Sequence, residues 1–283
     1  MSIAFAPNEE QAALWNGAAG TTWVEAQDLL DRMFAPLERL LVETIRAADA
    51  RCVLDVGCGT GATTLAIARS GATDGRFIGI DISEPMIEVA RARAAREASH
   101  ARYVRADAQT YPFERAAFDM VVSRFGVMFF DDPVRAFSNL RLATRAHGSL
   151  RVLAWRAPAE NDFMTAAERA AAPLLPGLPP RQPDAPGQFA LADARRVRGI
   201  LERSGWVDID VRPLDVTCVV TAHDLVDHST RLGPIGRALR EEDAQTRDRV
   251  IAAVRPAFEP YTQGDEVRFV AACWMIGARA PAG

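Results

Sequence analysis

Residues 53 to 61 read Val-Leu-Asp-Val-Gly-Cys-Gly-Thr-Gly, an apolar run with an acid, Asp55, set just before three glycines at alternate positions. A helix-like stretch, Ala62 to Arg69, follows. Glycine lets a backbone turn sharply and approach a ligand where a side chain would collide, and a helix start offers free N–H groups. The pattern therefore predicts a strand, turn and helix built around a nucleotide-like cofactor, with Gly57, Gly59 and Gly61 in the turn. Asp81 ends the apolar strand Arg76-Phe-Ile-Gly-Ile-Asp81, where a carboxylate accepts both hydroxyls of a ribose. Asp107 ends Arg102-Tyr-Val-Arg-Ala-Asp107, placed to accept from the exocyclic amine of an adenine. The loop alone is ambiguous, because Gly57-x-Gly59-x-x-Ala62 also fits a dinucleotide fingerprint. A nicotinamide-dependent oxidoreductase is thus one alternative, and a non-catalytic binding or regulatory protein is another.

Four ordered segments carry a resemblance to a known family: Val53 to Gly61, Gly79-Ile-Asp81-Ile-Ser83-Glu-Pro-Met86, Ala106-Asp107-Ala108-Gln109, and Phe118 to Phe130. In this order and spacing, over about residues 51 to 155, the chain resembles the class I S-adenosylmethionine-dependent methyltransferases, specifically the ubiquinone/menaquinone-biosynthesis type of small-molecule enzyme. The resemblance implies that the Gly57 to Gly61 turn faces the methionine part and ribose of the cofactor, with Asp55 helping to hold the amino-acid end. Cys58 is then a small spacing residue rather than a nucleophile. Asp81 would take the ribose hydroxyls, Ile82 and Met86 would pack on the adenine, and Asp107 with Ala108 would read its edge. Ser123 and Phe125 would sit below the sulfonium. One departure stands at Arg145-Ala-His147-Gly148, where relatives usually show a proline-glycine-glycine turn before the fifth strand.

Strand and helix patterns alternate after the glycine loop, as in a parallel sheet with crossover helices. Ser83-Glu-Pro85 and Asp131-Asp-Pro133 place a capping residue and a proline at helix starts. Val207 to Val220 and Val267 to Ile276 read as two late strands that fit an antiparallel hairpin. The expected fold is α/β: a Rossmann-like, seven-stranded, mostly parallel sheet with an antiparallel C-terminal hairpin, a helical lid and insertions. Residues 1–48 form the N-terminal helical lid segment and 49–155 the cofactor-binding core. Residues 156–190 form a proline-rich insertion assigned to the substrate wall, and 191–283 the rest of the core, with a helical insertion at 223–258. Seven of the 17 prolines fall at 158, 173, 176, 179, 180, 183 and 186, which rules out one long helix across that segment.

In the lid segment, Leu30, Met33, Phe34, Leu37, Leu41 and Ile45 make one helical stripe, with Pro36 marking a kink or a new start. Upstream, Trp15 and Trp23 flank glycines in a turn-like stretch. These tryptophans either close over the cofactor, excluding water and offering ring faces near a cation, or are simply buried.

Composition limits the alternatives. The 283 residues are 49% apolar with a formal charge of -4, enough for one large core and unsuited to a broad nucleic-acid surface. All 33 basic residues are arginine, so Schiff-base chemistry, pyridoxal phosphate anchoring and a phosphate-loop lysine are excluded. The four cysteines, 52, 58, 218 and 273, show no zinc spacing, and as free thiols they fit the cytoplasm. No secretory signal or bilayer-spanning run is visible. The implied partner is a small-molecule methyl acceptor, with no metal, no nucleic acid and no membrane.

No catalytic base emerges. His100 and His147 read as solvated on the far side of the sheet, whereas His223 and His228 open the late insertion and either face the pocket or are structural. Arg124 stands where it can meet Asp55, a substrate anion or another carboxylate. Met128, Phe129, Phe130 and Trp155 suit an aromatic or lipid-like acceptor, or are core.

Overall fold

The computed structural model describes residues 8–70, 74–178, 181–182 and 185–282. Residues 1–7 of the lid segment and Pro179, Pro180 and Pro183 of the proline-rich segment lie outside the described residues. The chain opens with helices α1 (Glu9–Asn16), α2 (Ala18–Glu25) and α3 (Gln27–Ala47). The stretch from Trp15 to Trp23 is helical rather than turn-like, broken only at extended Gly17. The α3 stripe is buried as its spacing predicts, and the helix runs through Pro36 without a new start. Met33, Phe34 and Leu37 around the proline are all buried, so packing of the apolar face outweighs the one backbone hydrogen bond that proline removes.

The core alternates β1 (Cys52–Val56), α4 (Ala62–Ser70), β2 (Arg76–Asp81), α5 (Glu84–Arg96), β3 (Arg102–Arg105), β4 (Phe118–Arg124), α6 (Pro133–Ala143) and β5 (Thr144–Trp155). Then come α7 (Asp162–Ala171), α8 (Ala194–Arg203), β6 (Val207–Thr221), α9 (Ala222–Arg231), α10 (Gly233–Leu239), α11 (Ala244–Val254), β7 (Thr262–Gln263) and β8 (Glu266–Arg279). The sheet order is β3-β2-β1-β4-β5-β8-β6, with two-residue β7 pairing the start of β8. Strands β1 to β5 are parallel, and β8 runs antiparallel to both β5 and β6. Order reverses between β1 and β4, which opens a crevice at their carboxyl ends, the usual ligand position in such sheets. Alternate β1 residues serve the two faces: Leu54 and Val56 join the larger core, Val53 the smaller.

The late hairpin is longer than the sheet it edges. Trp155, the last residue of β5, pairs with Cys273, so residues 266–272 of β8 and their β6 partners run on as a two-stranded ribbon past the carboxyl ends. Cys218, Val220, Val267 and Phe269 make its buried face, and Phe163 of α7 stacks on Phe269 at 3.9 Å. The Arg145-Ala-His147-Gly148 segment is an irregularity inside β5 rather than a turn before it. His147 is left-handed (φ 60°), and the β4 register jumps from Thr144 to Ser149. Among the described residues, no helix is long and apolar enough to cross a membrane.

Asn161, fully buried ahead of α7, fastens the insertion to this hairpin. Its Nδ2 donates to the Ala272 carbonyl (2.9 Å) and its Oδ1 accepts from the Ala272 N–H (3.0 Å). Asn161→Ala strips these buried backbone groups of their side-chain partner, and a loss on the order of 2–3 kcal/mol is expected in urea unfolding. An unchanged midpoint would show that the clamp contributes nothing.

Candidate active site

Left-handed glycines at 57, 59 and 61 turn the chain sharply after β1. The Gly57 and Cys58 N–H groups donate to the Ile80 carbonyl at 2.8 and 3.2 Å, tying the loop to β2. A methyl group built on Gly57 would stand 2.5 Å from the Gly126 Cα, so the segment after β4 meets the loop backbone to backbone. Ser123 locks this crossing: its hydroxyl donates to the Val56 carbonyl (2.7 Å) and accepts from the Gly126 and Val127 N–H groups (3.1 and 3.3 Å). Phe125 between them is left-handed (φ 70°), a strained non-glycine position beside the cavity.

The two acids are set by backbone donors. Asp81 Oδ2 accepts from the Gly59 N–H (2.8 Å) and Oδ1 from the Ser83 N–H (2.9 Å). Burial pushes the Asp81 carboxyl above its usual range, against the pull of these hydrogen bonds. Asp107 Oδ1 accepts from the Gln109 N–H (2.9 Å) and Oδ2 from the Gln109 side chain (3.3 Å). Each carboxylate oxygen keeps acceptor capacity for a ligand hydroxyl or amine.

Helices α1 and α2 lie across this edge of the sheet. Ser83 was expected to cap α5, but its hydroxyl makes no capping bond and donates to the Trp15 carbonyl instead (2.7 Å). Asn16 accepts from the Glu84 N–H (2.8 Å) and donates to the Ile82 carbonyl (3.1 Å). Trp15 meets Trp23 and Phe129 edge to face, with ring centroids 5.8 and 5.0 Å apart. A Cβ on Gly59 would stand 3.8 Å from both the Met86 sulfur and Trp23 Nε1, so loop, α5 and α2 enclose one space.

That space is an apolar cavity with an empty volume of about 730 Å³, continuous with solvent. Gly57, Gly59, Asp81, Ile82, Met86, Asp107 and Ala108 line it, as do Phe125, Trp15 and Trp23. Four other sequence-derived candidates do not. Asp55 points under the loop, where its buried carboxylate accepts from the Thr64 hydroxyl at 2.7 Å. Ser123 is consumed by the strand crossing, and Gly61 faces Tyr103 and Ala90. Cys58 is buried, and burial with the fields of Asp81 and Asp55 pushes its thiol up, so it stays protonated.

Of the apolar residues considered for the acceptor, Phe129 and Phe130 reach the cavity, while Met128 and Trp155 are core. None of the four histidines lines it. His228 instead faces a smaller hollow between α7, α9 and α10. Asn8 and Gln11 also line the cavity and were not anticipated, although Gln11 lies one helical turn before Trp15 and shares its face. Among the described residues, no three metal-ligating side chains cluster.

Buried Asp55 makes a testable contribution. Burial raises its carboxyl to about 6, opposed by the Thr64 hydrogen bond and the Arg124 charge. The folded protein then holds this proton more tightly than the unfolded chain, so stability from the group is present below about pH 4 and is lost as pH rises through about 6. Asp55→Asn keeps the acceptor for Thr64 without the charge. Its stability advantage over wild type should be absent near pH 4, grow to pH 6, and level off on the order of 3 kcal/mol. Denaturant titrations across that range check this, and a gap independent of pH would contradict it.

Comparison with known proteins agrees with this geometry. A family described as "Methyltransferase domain" matches residues 53–148. An uncharacterized protein of Mycobacterium tuberculosis is 34% identical over 127 residues, 45% of each chain. The ubiquinone/menaquinone biosynthesis C-methyltransferase of a Marinomonas species is 28% identical over 129 residues, 45% of this chain and 51% of that one. The chain thus spans about half the length of the curated relatives it matches. The YcgJ protein of Bacillus subtilis shares the fold at a TM-score of 0.57 and 18% identity, covering 87% of this chain and 98% of that one. The matched segment, the four ordered motifs and the β3-β2-β1-β4-β5-β8-β6 sheet make residues 53–148 a methyltransferase domain, similar to that of the class I S-adenosylmethionine-dependent enzymes, the ubiquinone/menaquinone-biosynthesis type among them.

Proposed function

We propose that the protein transfers a methyl group from S-adenosylmethionine to an oxygen, carbon or nitrogen of an apolar small molecule. One observation carries this reading: the switch-point cavity presents two backbone-anchored carboxylates along one side and is otherwise walled by aromatic and aliphatic groups. The residues fit the cofactor. Asp81 has lone pairs free for ribose hydroxyls, Ile82 and Met86 offer apolar faces for adenine, and Asp107 stands one strand further out, at the edge of the base. The glycine turn leaves room for the methionine part. When bound, the cofactor would supply an electrophilic methyl on a sulfonium, open to direct in-line displacement by an acceptor held against the apolar wall.

The protein's contribution is placement and dryness. Trp15, Trp23 and Phe129 keep water from the reacting centre, and the locked Gly57–Gly126 crossing fixes the floor on which both reactants meet. Phe125, stacked on Trp155 at 4.2 Å and packed edge-on against Phe34, offers an apolar wall to the acceptor. Among the described lining residues, Asp81, Asp107 and Arg124 are the ionisable ones, and both acids are already engaged. Activation of the acceptor is therefore assigned to its own chemistry, as in a phenolate or a stabilised carbanion. The relative named for ubiquinone and menaquinone biosynthesis supports a ring-bearing acceptor of that apolar kind. None of the described residues of the proline-rich segment, or of the helices between β6 and β8, lines the cavity, so the acceptor side is assigned to Phe125, Phe129 and Phe130.

Asp81→Ala tests the assignment. Losing a charged hydrogen-bond acceptor should weaken S-adenosylhomocysteine binding by about 1.5–3 kcal/mol, and unchanged affinity would remove the ribose assignment. For the acceptor, methyl-labelled S-adenosylmethionine should pass label to members of a phenol, quinol and amine panel. Label transfer to nucleic acid alone would refute the small-molecule reading.

A further inference from the structure

Arg124, at the end of β4, is the one cationic side chain among the described residues lining the cavity. Its Nη1 is buried and has no hydrogen-bond partner. Other well-covered arginines are paired: Arg93, with a side chain 13% exposed, meets Asp31 at 2.8 Å, and Arg156, at 12%, bridges Glu160 and Asp215. Glu38 and Asp55 act on Arg124 only through space. Its one close neighbour of note is the Phe34 ring, whose centroid lies 6.0 Å from the guanidinium carbon. A guanidinium left without a counter-ion in a partly desolvated wall forfeits hydrogen bonds that a ligand anion would restore.

Its place in the sheet says which part of a ligand it meets. Along β3, β2 and β1 stand Asp107, Asp81 and the glycine turn, in the order adenine, ribose, methionine. Arg124 is on the next strand, β4, beyond the glycine turn and away from both acids. It adjoins Phe125 and its stack on Trp155, where the methionine end of the cofactor and the acceptor come together.

We propose that Arg124 is the carboxylate-binding residue of this cavity, its Nη1 left without a direct protein partner so that a ligand supplies one. This rests on the methyltransferase reading of the site. The planar guanidinium suits a carboxylate through two parallel N–H donors. Two ligands bring that group to this position: the amino-acid end of the cofactor, and an acidic aromatic acceptor lying against Phe125.

Calorimetry on wild type, Arg124→Gln and Arg124→Lys separates them. S-adenosylhomocysteine carries the carboxylate, and 5′-methylthioadenosine carries the same nucleoside and thioether without it. Benzoate is then titrated into protein saturated with S-adenosylhomocysteine. Arg124→Gln should weaken one carboxylate ligand roughly ten- to a hundredfold while leaving methylthioadenosine affinity unchanged, with Arg124→Lys between. A loss for S-adenosylhomocysteine assigns the residue to the cofactor. A loss for benzoate alone assigns it to an acidic acceptor. The proposal is overturned if neither carboxylate ligand is affected, or if methylthioadenosine weakens equally. Failure of wild type to bind either thioether nucleoside would instead sink the cofactor reading, which the Arg124 variants do not address.

Discussion

The site depends on one close approach, the contact of Gly57 with Gly126 where the sheet reverses its order. Two loops leaving neighbouring parallel strands, β1 and β4, meet backbone to backbone because neither residue has a Cβ. Ser123 holds them there with three hydrogen bonds made entirely to main chain. Everything that faces the cavity is referred to this crossing. The glycine turn carries the Gly59 N–H to Asp81, and the strained turn at Phe125 aims one aromatic wall. Arg124 projects from the strand end beside it. A side chain at either glycine would separate the loops and shift all of these together.

The second layer of organisation is the attachment of the N-terminal helices. Ser83 and Asn16 fasten α1 to the segment just after Asp81, so that carboxylate and the aromatic cover are held by one short stretch of chain. From the other side, Arg240, just past α10, donates to the Ala18 carbonyl and the Thr22 hydroxyl of α2. The helical insertion between β6 and β8 thus touches the helix that brings Trp23 to the cavity. Such exposed contacts are individually weak, so the tryptophan and phenylalanine ring contacts set the position of the cover.

Much of this was legible in the sequence because it rests on short-range pattern. Alternating apolar residues, acids at strand ends and glycines at fixed offsets marked β1 to β4 and ten of the lining residues. What could not be read depends on contacts between distant segments. Asp55 looks like a cofactor ligand by position, yet Thr64, nine residues on, turns its carboxylate beneath the loop. Ser83 looks like a helix cap, yet Trp15 takes its hydroxyl. The helical path of Trp15 to Trp23 was masked by its glycines, because Gly17 alone breaks it. The lack of a hydrogen-bond partner at Arg124 Nη1 is a property of the assembled wall, which no local motif encodes.

The cavity above β1 and β4 is assigned as an S-adenosylmethionine site rather than a dinucleotide site. Calorimetric titration of the wild-type protein with S-adenosylhomocysteine, with oxidised and reduced nicotinamide dinucleotides as comparators, tests it most directly. Micromolar binding of S-adenosylhomocysteine at one site per chain, with no heat from the dinucleotides, is expected. Saturable nicotinamide binding, with none for S-adenosylhomocysteine, would contradict it.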